Sequence, residues 1–146
     1  MKIVTDSNVF FRAILGRKVG TASKRVVQLI INGRVTSYTC DALMGEMGRI
    51  VKSDPKLSKI DPVYFRQFVD DLDSWLSYVP MKNLDHDQKM LNRIGNDWYL
   101  IAIARSIHAN YIITYDKELI SMGEELGNRD DVEVLTSEEF IEKYKK

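Results

Sequence analysis

Residues 2–11 read KIVTDSNVFF, an apolar run that stops at an acid, passes through Ser7 and Asn8, and turns apolar again. Residues 2–5 have the length and β-branched content of a short buried strand, and a helix over 8–15 follows. A strand needs no carboxylate at its end, and a helix start needs only one capping residue. The purpose of Asp6 therefore depends on whether other acids reach the same place.

Working outward, Gly16 and Gly20 flank a basic loop, and Thr21 or Ser23 can cap a second helix whose apolar positions Val26, Val27, Ile30 and Ile31 keep the helical period. Asn32-Gly33 ends it, and residues 35–38 read as a second strand before a helix over 41–52. Asp61-Pro62 starts a fourth helix, a cap followed by proline at the first helical position. Its stripe of Phe65, Phe68, Val69, Leu72, Trp75 and Leu76 makes one face strongly apolar. A strand near 78–81, a polar stretch and the turn RIGND come next. Residues 97–108 form a helix apolar almost all round, and YIIT at 111–114 is a core strand. A helix over 117–126, a strand at 133–135 and a helix from Ser137 complete the chain. Strands alternating with helices predict an α/β fold with a mainly parallel sheet.

At 146 residues, the expectation is one domain over 1–146, burying roughly two-thirds of its unfolded surface. Fractions of 45% apolar and 29% charged residues are ordinary for a globular protein. The single Cys40 excludes an internal disulfide framework and favours a reducing compartment. Asp6 interrupts the N-terminal apolar run too early for a signal peptide, and Arg105 and His108 break the longest apolar region. These features predict a cytoplasmic protein with no membrane span. Net charge is zero, but its distribution is uneven: Ser7 to Cys40 contains no acid, whereas Arg12, Arg17, Lys18, Lys24, Arg25 and Arg34 are all basic.

Three further acids stand at telling places. Asp116 follows the strand YIIT, Asp97 begins the buried helix, and Glu46 lies at the edge of the apolar side of the third helix. Singly, Asp6, Asp97 and Asp116 read as helix N-caps, a role worth about 1 kcal/mol. Jointly they read differently, because strand C-termini of a parallel sheet share one edge, where ligands bind. Asp6 and Asp116 reach that edge, Glu46 can lean toward them, and only packing brings Asp97 close. Carboxylates gathered there would repel by about 4 kcal/mol per pair at 4 Å and a dielectric of 20, so the cluster needs cations. Oxygen ligands suit Mg²⁺ or Mn²⁺ and not zinc.

The stretches KIVTDSNVFFRAIL (2–15), DALMGEMGRIV (41–51), NDWYLIAIARSIHANYIITYDKEL (96–119) and VEVLTSEEFI (132–141) together resemble the PIN-domain ribonucleases, which include VapC-type toxins of toxin–antitoxin pairs. The resemblance spans nearly the whole chain. It implies a three-layer α/β/α fold, metal-dependent cleavage of RNA, an antitoxin protein as a candidate partner, and a homodimer as a candidate assembly. The family's acids fall on Asp6, Glu46, Asp97 and Asp116, the expected catalytic residues and metal ligands, and its polar residues beside the site fall on Asn8 and Thr114. Many members carry an extra acid just before the third aspartate, where this chain has Asn96 followed by Asp97 and bulky Trp98.

The chemistry fits these residues independently. Hydrolysis of a phosphodiester needs a nucleophilic water and neutralisation of charge on the phosphoryl group, which carboxylate-held divalent ions supply without a His or Lys base. Asn8 or Thr114 can orient the water or a phosphate oxygen. Arg12, Arg17, Lys18, Lys24 and Arg25 are the expected RNA-phosphate contacts, with Arg12 and Arg17 nearest. Two other classes compete: a binding module that keeps the acidic fold without turnover, and a phosphoacceptor domain. The second needs paired acids after the first strand, and only Asp6 is present. DHD at 85–87 lacks a matching metal partner, His108 suits the end of a buried helix, and Cys40 reads as a small buried hydrophobe. Trp98 packs or stacks on a base, and Gly45 and Gly48 are read as permitting close backbone approach.

Overall fold

Most of the short apolar runs become strands, and helices fill the intervals between them. The computed structural model describes residues 1–16 and 21–145, apart from the Ser58 side chain. In chain order these form β1 (Lys2–Thr5), α1 (Ser7–Leu15), α2 (Ala22–Ile31), β2 (Thr36–Thr39), α3 (Asp41–Ser53), α4 (Pro62–Trp75) and β3 (Ser77–Tyr78). Then come α5 (Gln88–Ile94), α6 (Trp98–Ile107), β4 (Tyr111–Ile113), α7 (Lys117–Ser121), α8 (Gly123–Asp130), β5 (Glu133–Leu135) and α9 (Ser137–Tyr144). Short 3₁₀ turns cover Leu57–Lys59, Met81–Asn83 and Gly95–Asp97.

The five strands pair in the order β3-β2-β1-β4-β5, every pairing parallel. Because successive strand residues face opposite sides, β1 and β4 feed two separate cores. Ile3 and Ile113 pack with Val9, Phe10, Val26, Ile30, Leu72 and Phe140 from α1, α2, α4 and α9. Val4 and Ile112 pack with Leu100, Ile103, Leu119 and Leu126 from α6, α7 and α8. The result is the expected three-layer α/β/α arrangement. Helix α3 serves both layers, with Met47 in the first core and Leu43 against the second.

Local chemistry sets the helix boundaries. Thr21 Oγ1 accepts from the Lys24 N–H at 3.4 Å, Asp61 Oδ1 accepts from Val63 N–H at 2.8 Å with Pro62 following, and Thr136 and Glu139 form a capping box at α9. Gly95 in the RIGND turn has φ 64° and ψ −147°, a backbone region open essentially to glycine alone. His108 ends α6 in the left-handed region, its own N–H bonded to Ala104, so its backbone rather than its ring makes the stop.

Several expectations are corrected. The polar stretch before RIGND is helix α5, whose first N–H groups bond to Asp87 Oδ1 at 3.1 and 3.2 Å; its apolar side, Met90, Leu91 and Ile94, is too narrow to announce a helix. The strand near 78–81 is shorter and earlier, because Pro80 has no N–H for a ladder. The helix over 117–126 is two helices, the first closing with Met122 N–H on Leu119 O at 3.1 Å. The apolar stripe of α4 is present, with Leu72 and Leu76 buried and Phe65, Phe68, Val69 and Trp75 half-buried. Gly45 and Gly48 allow no close approach, since a Cβ on Gly48 meets nothing within 4 Å and one on Gly45 meets only the Arg49 side chain.

Open space in a helix interior makes glycine a cost without a steric return. Gly48→Ala should stabilise the fold by about 0.5–1 kcal/mol, seen as a higher urea midpoint at unchanged slope. A lower midpoint would show that α3 is not held as a regular helix at this position.

Candidate active site

β1 and β4 end together, Thr5 opposite Ile113, so Asp6 and Thr114 leave the sheet side by side. Asp6 N–H still bonds to Ile113 O at 2.9 Å. The Asp6 side chain, 7% exposed, makes no cap bond to α1. Instead its Oδ2 accepts from Thr114 Oγ1 at 2.7 Å and from Asn8 Nδ2 at 3.2 Å, and Oδ1 accepts from Ser7 Oγ at 3.4 Å. Thr114 Oγ1 in turn accepts from the Asp116 N–H at 3.0 Å. Asp116 does cap a helix, its Oδ1 accepting from Glu118 and Leu119 of α7 at 2.8 and 3.4 Å. The capping reading therefore holds for Asp116 and fails for Asp6.

The other two acids arrive by different routes. β2 ends at Thr39 and α3 leaves the same edge, which places half-buried Glu46 one turn or so above the strand ends. Asp97 closes the 3₁₀ turn that packs against α3 and makes no cap bond to α6. It reaches this edge because α6 feeds β4, and a helix that precedes a parallel strand must start where strands end. Asp6, Asn8, Glu46, Asp97 and Asp116 line one cleft of about 270 Å³, whose apolar walls include Phe10, Phe11, Leu43, Met47, Ile50 and Leu100. Thr114, fully buried, sits behind Asp6.

Gathering acids has an electrostatic signature. Burial first, then the charge of Asp6, a hydrogen bond shared with Asp116, and the charges of Asp116 and Glu46 push Asp97 up to about 7. Burial also raises Asp6, against the lowering effect of its bond from Thr114. Among the described residues no three His, Cys, Asp or Glu side chains form a ready-made metal site; mutual repulsion opposes a tighter gathering of bare carboxylates. As donors, the cleft acids are all hard oxygens of one charge, and they fit Mg²⁺ or Mn²⁺.

Asn8 and Thr114 each donate to Asp6 and so orient that carboxylate. Arg12, Lys24 and Arg25 do not line the cleft. The Arg12 guanidinium lies 3.6 Å from the centre of the Tyr115 ring, Lys24 borders an apolar hollow with Val27 and Phe68, and Arg25 is exposed on α2. Arg17 and Lys18 lie outside the described residues. In DHD, Asp87 caps α5 and His86 bridges the Tyr99 hydroxyl and Met81 O at 3.1 and 3.0 Å. Trp98 is 2% exposed and donates to Asp85 O at 2.8 Å, which excludes base stacking by that ring. Tyr115 and Ser7 are the site neighbours that sequence reasoning missed. Their only signals are adjacency: Ser7 follows Asp6, and Tyr115 separates Thr114 from Asp116.

The sequence matches the PIN domain over residues 2–118. The chain belongs to the PIN-domain family, a family of nucleases that generally use divalent metal ions. Among solved structures it is similar to a chain of the VapBC2 structure from Rickettsia felis, bound to a DNA fragment from their promoter, with a TM-score of 0.56 and 18% identity over 92% of this chain and 98% of that one. A comparison with curated proteins finds no match. Among the described residues no helix is long and apolar enough to cross a membrane.

The elevated Asp97 predicts an unusual stability profile in chelator. The folded state holds this proton up to about pH 7, whereas the unfolded chain releases it near pH 4. Its stabilising effect is complete below the unfolded value and is lost as pH rises through the folded one. The metal-free melting temperature should fall between about pH 4 and 7, and Asp97→Asn should flatten that fall and melt higher than the parent at pH 8. Equal melting of the two proteins at pH 8 would contradict the crowding of carboxylates at Asp97.

Proposed function

We propose that this chain, as one domain over 1–146, is a Mg²⁺- or Mn²⁺-dependent endoribonuclease acting as the toxin of a toxin–antitoxin pair in the cytoplasm. The observation that carries the reading is the convergence of Asp6, Glu46, Asp97 and Asp116 on one cleft, with Asp97 raised by burial first and then by the charges of the other three. A raised carboxyl crowded by like charges, in a cleft with an apolar wall, is the electrostatic mark of a site built for something positive. Family membership supports nuclease chemistry, and the resemblance to VapC-type toxins, with the fold shared with the VapBC2 chain, supports the toxin role and an antitoxin protein as partner.

The four acids would hold the ion. With Mg²⁺ or Mn²⁺ bound, the chemistry supplied is activation of a water nucleophile and neutralisation of charge on the phosphoryl group being transferred. The chain's own residues do the rest. Thr114 and Asn8 fix the Asp6 carboxylate from two directions, leaving little rotameric freedom to lose on binding. Thr114 also ties that carboxylate to the backbone of Asp116. Phe10, Phe11, Leu43 and Met47 wall the acids from bulk water, which strengthens each charge interaction inside. Basic residues of the acid-free stretch, Arg17, Lys18 and Arg25 with Arg12 and Lys24, would meet flanking RNA phosphates, and a homodimer would extend that surface.

Asp6→Asn, Asp116→Asn and Glu46→Gln should each lower Mn²⁺-dependent cleavage of mixed structured and single-stranded RNAs by about 100-fold or more, with circular dichroism unchanged. Asn at 116 keeps the α7 cap, because an amide oxygen accepts the same bonds. In the parent protein, divalent ion at about ten times its dissociation constant should add roughly 1.4 kcal/mol of stability. Parent-like turnover in a folded Asp6→Asn protein would defeat the assignment. Melting indifferent to millimolar Mn²⁺, with ionic strength matched, would instead favour the binding module.

A further inference from the structure

The segment 114–116 carries a threonine and an aspartate that face the cleft acids, and between them a tyrosine that faces the other way. Its peptide N–H donates to Asn8 Oδ1 at 3.3 Å. Its ring lies under the Arg12 guanidinium at 3.6 Å. Asn8 and Arg12 are four residues apart on α1, so one helical face grips both the backbone and the ring of Tyr115. The hydroxyl donates to Glu138 Oε2 at 2.8 Å and sits 3.1 Å from Ser23 Oγ, which is 3.0 Å from Ser137 Oγ. Ser23 and Ser137 are both buried. Beyond the end of β4 only Thr114 N–H continues sheet bonding, to Leu135 O at 2.9 Å; Tyr115 and Asp116 are outside the ladder. Helices α1, α2 and α9 thus hold a stretch that the sheet has released.

We propose that Tyr115 is a positioning residue, whose ring and hydroxyl clamp the 114–116 segment to α1, α2 and α9 and so set Asp116 against Asp6. The mechanism is preorganisation: the Asp116 carboxylate stays in register with Asp6 only while its backbone is held, and residues behind metal ligands set affinity in this way. The clamp also makes the C-terminal helix part of the site, through Ser137 and Glu138, although α9 contributes no side chain to the cleft. This inference rests on the metal-dependent reading for its consequence but not for its geometry.

The test uses the full chain with Tyr115→Ala and the conservative Tyr115→Phe, which retains the ring beneath Arg12. In chelator, amide hydrogen exchange at 115–119 should rise about tenfold in Tyr115→Ala relative to the β4 amides, and by an intermediate factor in Tyr115→Phe. Below the melting transition, the Mn²⁺ dissociation constant from electron paramagnetic resonance should rise about tenfold or more in Tyr115→Ala, with Tyr115→Phe, which loses the hydroxyl's hold on α2 and α9, between Tyr115→Ala and the parent. Exchange at 115–119 that is no faster in Tyr115→Ala than in the parent would overturn the clamp whether or not the protein binds metal. Faster exchange with an unchanged Mn²⁺ constant would overturn the positioning role. A parent protein that binds no Mn²⁺ would overturn the metal-dependent reading and the positioning consequence with it, and the exchange comparison would still decide the clamp.

Discussion

The hydrogen bond from Thr114 Oγ1 to Asp6 Oδ2 is the contact on which the rest turns. A carboxylate removed from water is costly unless its oxygens are matched, and Asp6 stands at the end of the central strand with cores on either side. Thr114 answers that need from the neighbouring strand, in the position that parallel pairing provides. The same hydroxyl accepts from the backbone of Asp116. One short side chain therefore joins sheet register, a buried charge and a second acid.

Stability and chemistry pull against one another around that contact. The apolar walls that isolate the cleft belong to the same helices that fill the core, with Phe10 and Met47 among both. Isolation makes like charges more costly to hold together, and the elevated Asp97 is the visible result. The fold accommodates this by supporting each acid differently. Asp6 is satisfied by side chains and Asp116 by a helix start, while Asp97 shares a hydrogen bond with Asp116 and is pushed up to about 7 by burial and like charge.

Much of this was legible in the residues. Alternating periods gave β1, α1, α2 and α6 their places, since those segments are either strongly patterned or apolar throughout. Asp6 and Asp116 were legible because strand-end position is a local property of the chain, and Glu46 because it sits at the edge of the apolar side of α3. Asp97 was legible as a residue but not in its location, which follows from the direction in which α6 must run. Helix α5 escaped because three apolar residues in seven, half-covered, resemble a loop. The contact of Arg12 with the Tyr115 ring was not legible, because only tertiary packing brings the two together. Asn8 and Thr114 were found by position, yet each donates to the Asp6 carboxylate and accepts from the backbone of 115–116.

The two outer strands of the sheet have a consequence of their own. β3 has two residues and is followed at once by Pro80, and β5 has three and runs directly into the capping box of α9. Neither offers a run of unsatisfied backbone groups long enough to template an incoming chain. Lateral growth of the sheet, whether as fibril or as a borrowed strand, is thereby blocked at both margins.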